Sequence, residues 1–254
     1  MKALYTLLLT WVSCFPGWGQ KEEMEQLRNK LKIEKIDTSK IHLIGDLARL
    51  LLMNSDTVEA IQLLKEGLIL CKKQNYDYGY GHIYHQWGFY RQGISQFDQA
   101  EKYYQLSYEY YRKSKKDTAP LGAATALGNL GLIAQYKGDI ERAIKLYLQS
   151  LDIWQASGLS ERYTTIGNIY ANVAGLYSKE GQYEKAIYYD KKGIETRHRF
   201  LKRDSDLGSA YLFLADDFTK NKQLDSAKKY LTTAQALVDE FNVPVLYLRY
   251  YGVT

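Results

Sequence analysis

Large apolar residues recur at steps of three and four along most of the chain, and small residues return among them at nearly constant intervals. Ala48, Gly88, Gly131, Ala174 and Ala215 are separated by 40, 43, 43 and 41 residues. Twelve positions after these anchors stand Ala60, Ala100, Ala143, Ala186 and Ala227, and seven further on come Gly67, Ser107, Ser150, Gly193 and Ala234. Immediately before the anchors lie Leu47, Trp87, Leu130, Val173 and Leu214, preceded at three more residues by Ile44, Tyr84, Leu127, Tyr170 and Tyr211. Such steps put the residues on one helical face. Where helix axes approach to about 8–10 Å, only Gly, Ala or Ser fits at the crossing. The pattern therefore predicts paired helices with three small-residue crossings per repeat. Lys137-Gly138-Asp139, Glu180-Gly181-Gln182 and Asn221-Lys222-Gln223 are turn signals between the helices of a pair, and Ser55-Asp56 holds that place in the first repeat. Asp98, Glu141, Glu184 and Asp225 fall in the first turn of each second helix, where negative charge favours the helix dipole. The expected fold class is all-α.

Composition agrees. The chain has 254 residues, 46% of them hydrophobic, which excludes disorder. Lys and Arg number 34 against 29 Asp and Glu, a net charge of +5 with no long run of one sign, so no nucleic-acid partner is implied. After Lys2, the apolar stretch Ala3–Phe15 reaches only about 20 Å as a helix, short of a bilayer core of about 30 Å. With Gly17 and Gly19 offering a small-x-small cleavage site, residues 1–19 are expected to be an export signal, making the protein periplasmic or cell-surface in a bacterium. Cys14 after Ser13 offers a second reading, lipidation and membrane anchoring, which Trp11 opposes. Cys71 is expected to be a buried apolar residue, and no disulfide framework is possible.

Residues 20–37 are expected to supply a capping helix, with Met24, Leu27 and Leu31 on one face, ahead of five repeats over 38–241. Asn242-Val243-Pro244 has the look of a sixth repeat beginning, truncated within 242–254.

The segment Leu130 to Ile144, and nearly as well Val173 to Ile187, resembles the tetratricopeptide repeat (TPR) consensus. The repeats are about eight residues longer than the usual 34, similar to the extended repeats of kinesin light chains and bacterial peptide-pheromone receptors. Repeats one and two depart most: Arg91 replaces an aromatic or small apolar residue, and Ser55-Asp56 replaces Gly-Asp. The resemblance implies a right-handed α-solenoid whose first helices line a concave groove for a protein or peptide segment. The chain also resembles exported N-terminal sensor regions of bacterial signalling proteins, a histidine kinase or a transcriptional regulator. In that alternative it is truncated here, and a membrane-spanning segment follows.

Groove candidates follow from the face opposite the packing stripe. Two residues before each anchor come Asp46, Gln86, Asn129, Asn172 and Phe213; six before come His42, His82, Thr125, Asn168 and Ser209; five after come Met53, Gly93, Tyr136, Lys179 and Lys220. An amide matches both N–H and C=O of an extended peptide. Gln86, Asn129 and Asn172 would form a ladder, flanked by His82, Asn168 and Tyr136, with Lys179 and Lys220 receiving a carboxylate. Extended TPR relatives hold peptide backbones with asparagines at the positions of Asn129 and Asn172; Gln86 matches by type, whereas Asp46 and Phe213 depart. The competing reading is a plain polar helix face.

Catalytic chemistry is not expected. His82 and His85 share a helix edge without a third zinc ligand, Ser226 and Lys229 form an isolated S-x-x-K, and Gly79-Tyr80-Gly81 lacks a third glycine and a P-loop lysine. No cofactor or metal is implied. Tyr103-Tyr104, Tyr110-Tyr111 and Tyr188-Tyr189 are read as core packing rather than base stacking.

Overall fold

The computed structural model describes residues 16–157, 163–200 and 205–241. Residues 1–15 of the expected export segment, Cys14 among them, and residues 242–254 lie outside this range. Among the described residues there are eleven helices and no strand. They are α1 Pro16–Ile33, α2 Asp37–Met53, α3 Thr57–Gln74, α4 Asp77–Gly93, α5 Phe97–Lys113, α6 Ala119–Tyr136, α7 Ile140–Ala156, α8 Tyr163–Lys179, α9 Tyr183–Phe200, α10 Ser205–Lys220 and α11 Leu224–Phe241. The chain divides into two compact units within α6, after Ile133.

The small-residue pattern is a packing pattern. All five anchors, all five alanines and all five later small residues are buried. The glycines are dictated by the residues they face. A methyl group on Gly88 would lie 2.6 Å from the Tyr104 ring, and one on Gly67 would lie 2.7 Å from Ile83. Ser107 is small enough to fit yet keeps its hydroxyl satisfied, donating to the Gly81 carbonyl at 2.8 Å.

One turn geometry joins the helices of every pair. Ser55, Ser95, Gly138, Gly181 and Lys222, each seven residues after an anchor, have φ of 67°, 58°, 80°, 72° and 59°. The amide after each bonds back to the carbonyl five residues earlier, as in Asp56 N–H to Leu51 O and Gln223 N–H to Phe218 O, both at 2.9 Å. These are Schellman turns, closing the first helix where its last carbonyls lack partners. Only two of the five carry the glycine that the left-handed conformation favours.

In the first unit α1 lies against α2. Met24 is buried in the core with Ile41, Ile44, Leu47 and Leu51, while Leu27 and Leu31 pack at its edge. Arg28 clasps Glu59 in the first turn of α3, with N–O distances of 3.1 and 2.7 Å. In the second unit, α8 to α11 pack in sequence, and α8 also touches α10. Their core is built on Ile187, Ile194, Leu214, Phe218 and Leu237.

Candidate functional site

In the first unit the polar face of α2 and α4 is largely engaged with itself. His82 Nε2 lies 3.4 Å from Asp46 Oδ1, and its ring centroid is 5.5 Å from that of His42. Lys116 Nζ approaches His42 Nε2 at 3.5 Å. Burial, with His82 and Lys116 nearby, pushes His42 down to about 4. Burial first, then His82 and Arg49, pushes His85 down to about 3, so its ring is neutral at ordinary pH. The Asn129 side-chain amide meets His85 Nε2 at 2.8 Å, donating to the unprotonated nitrogen. His82 and His85 thus turn to different partners. Among the described residues no three His, Cys, Asp or Glu side chains are placed to hold a metal ion.

Gln86 departs from the expected ladder. It is only 2% exposed, with its Oε1 buried and without a hydrogen-bond partner, because its turn of α4 packs inward beside Trp87 and Gly88. Asn129 is half-buried.

The second unit holds a cleft of ≈ 380 Å³ between α8 and α10, floored by α9. Asn172 and Lys179 line it from α8 and Lys220 from α10, with Gly175, Ser178, Phe213 and Asp216. Asn172 also hydrogen-bonds the Tyr147 side chain. Asn168 instead accepts from the buried Arg197 at 2.5 Å. Tyr136 is 55% exposed at the end of α6.

Of the two lysines, Lys220 does not face the cleft as free positive charge. Lys220 Nζ lies 2.6 Å from Asp216 Oδ2 and 3.4 Å from Ser178 Oγ. Below them sit two buried acids, Asp190 at 5% and Asp217 at 3% exposure. Their carboxyls are hydrogen-bonded to each other, Ser178 donates to Asp217, and Asp190 Oδ2 is buried with no hydrogen-bond partner. Burial first, then Asp217, pushes the Asp190 carboxyl up to about 8. Burial also raises Asp217, opposed by the Ser178 hydroxyl and Lys220. One proton is therefore shared by the pair, since two adjacent buried carboxylates cannot both ionise cheaply.

Residue type alone does not mark these acids, but repeat register does. Sixteen positions after the anchors stand Leu64, Tyr104, Tyr147, Asp190 and Leu231; two after stand Leu50, Tyr90, Ile133, Leu176 and Asp217. Each acid replaces an apolar or aromatic residue kept by the other four repeats. Tyr104 and Tyr147 fill their own repeats and donate to Gln92 at 2.8 Å and Gln135 at 3.1 Å. Repeat four has Asp190 in place of the ring and Ser178 in place of the glutamine, which leaves the space that is the cleft.

Helix pairs, buried small-residue crossings and recurrent Schellman turns define a helical-repeat protein. A tetratricopeptide repeat family model matches residues 80–156 and 122–197. Residues 80–197 are thus a tetratricopeptide-repeat region, and the fold class is the all-α TPR solenoid. No curated protein matches the chain. Among solved structures it is similar to BtubC from P. vanneervenii, at 18% identity and TM-score 0.73, covering 88% of this chain and 90% of that one. It is also similar to a signal-transduction ATPase with a TPR sensor from Pyrococcus horikoshii, at 19% identity and TM-score 0.76, covering 91% of this chain but 35% of that one. A kinesin light chain-type TPR protein of Podosopora anserina aligns at 19% identity and TM-score 0.63, covering 82% and 99% respectively. At these identities the likeness is one of fold.

Proposed function

We propose that the protein is a binding scaffold, not an enzyme, and that the cleft between α8 and α10 takes an extended segment of a protein or peptide. The cleft carries the reading: its ≈ 380 Å³ lies in the range of small-ligand sites, and Asn172 stands on its wall with an amide suited to a peptide backbone. Gly175 supplies the test, because a Cβ there would meet nothing within 4 Å, so a large side chain fills the cleft without striking the core. Heptapeptides selected from a displayed random library on the full chain are expected to lose most of their binding to Gly175→Phe and to Asn172→Ala. Equal binding to both variants would remove the cleft from the reading.

The apolar stretch Ala3–Phe15 favours export, and a TPR sensor in the P. horikoshii ATPase gives precedent for a sensing role on this fold. N-terminal sequencing of protein secreted by a bacterial host is expected to begin at Gln20; an intact Met1 in the exported fraction counts against a cleaved signal.

A further inference from the structure

A buried acid pair is costly unless something offsets it. Asp190 lines the cleft, and its buried Oδ2 has no hydrogen-bond partner, which is the state of an acceptor waiting for a donor. Two core positions filled by apolar or aromatic residues in the other four repeats carry acids here, and they meet under one opening. We propose that the cleft receives a positively charged side chain of a bound peptide, the guanidinium of arginine or the ammonium of lysine, against the Asp190–Asp217 pair. This rests on the reading of the cleft as a peptide site and names the chemistry it selects.

The charges facing the pair support this sign. From α8 come Ser178, which donates to Asp217, and Lys179; from α10 come Asp216 and Lys220, which are paired with each other; Tyr183 at the start of α9 bears on Lys220. Three carboxyls thus stand against two ammonium groups, and the proton shared by Asp190 and Asp217 brings the cleft to neutrality. A ligand cation can take that proton's place. Its donors satisfy Asp190 Oδ2, the proton leaves to solvent, and the charge of the cleft is unchanged. A carboxylate would instead meet three acids, with Lys220 already paired to Asp216. The Asp190 carboxyl, raised to about 8 by burial and by Asp217, makes uptake proton-linked near neutrality.

The test uses four blocked pentapeptides, Ac-Ala-Ala-Xaa-Ala-Ala-NH2 with Xaa Arg, Lys, Gln or Glu, titrated into the full chain by calorimetry. The Arg and Lys peptides are expected to bind at least tenfold tighter than the Gln and Glu peptides at pH 8.5. Their affinity should fall about tenfold per pH unit below pH 7.5, with close to one proton released at pH 7. Asp190→Leu installs the residue of repeats one and five and should abolish both the preference and the pH slope; Asp190→Asn, nearly isosteric, should do the same. Equal binding of the Gln peptide, without pH dependence, overturns the acid-pair assignment and leaves the peptide cleft standing. If none of the four binds while library-selected peptides do, the assignment also falls. If no peptide of any kind binds, both readings fall together.

Discussion

At the residue scale, two substitutions measure how tightly the repeat is specified. Gly88→Ala puts a methyl group 2.6 Å from the Tyr104 ring, so it is expected to destabilise the first unit by about 1–3 kcal/mol in chemical denaturation, the usual cost of overpacking. Lys222→Gly works the other way. Lys222 holds φ of 59°, a conformation costing a side chain about 1–2 kcal/mol. Glycine escapes that cost at some entropic loss, for a net gain of about 0.5–1 kcal/mol read as a raised Tm. The small residues were legible in the sequence because interhelical distance leaves them no alternative. The left-handed turns were legible only where glycine marks them: Ser55 and Ser95 adopt the same φ because the Schellman hydrogen bonds and the packed helices on either side impose it.

At the scale of elements, the helices could be read from their apolar stripes, while what their other faces do depended on neighbours. Gln86 and Asn129 stand at the same repeat position and share amide chemistry, yet Gln86 is buried while Asn129 meets His85. Periodicity sets a residue's azimuth but does not fix how close the next helix comes. The acids of the cleft were hidden for the opposite reason: an Asp on a helix is ordinarily solvated, and only comparison of Asp190 with Tyr104 and Tyr147 at the same register shows that it occupies a core place. Cys71 illustrates an element that shields its chemistry. It is fully buried on α3, and burial pushes its thiol up to about 12. Iodoacetamide at pH 8 is expected to leave it unmodified in the native chain and to label it fully in denaturant.

For the whole molecule, the two units are expected to answer acidity in opposite directions. In the first, His42 and His85 are depressed to about 4 and about 3, so the folded form binds fewer protons than the unfolded chain. Its stability is fully present above about pH 6.5 and is lost as pH falls toward those values. In the second, Asp190 is raised to about 8, so the folded form binds more protons. That contribution is present at low pH and is lost as pH rises from about 4 toward 8. Thermal melts between pH 4.5 and 8.5 should therefore show the first unit gaining and the second losing a few degrees as pH rises, and Asp190→Asn should flatten the second trend alone. A shared, pH-independent melt would contradict both assignments. The recurring turn has a practical consequence. Ser55, Ser95 and Lys222 are exposed and already hold a conformation glycine would prefer, and the thiol of Cys71 is inert. Cysteines placed at these corners in a chain beginning at Gln20 would accept a spectroscopic label at one site each, turning the regular corners of the array into graduations on a ruler for motion during ligand capture.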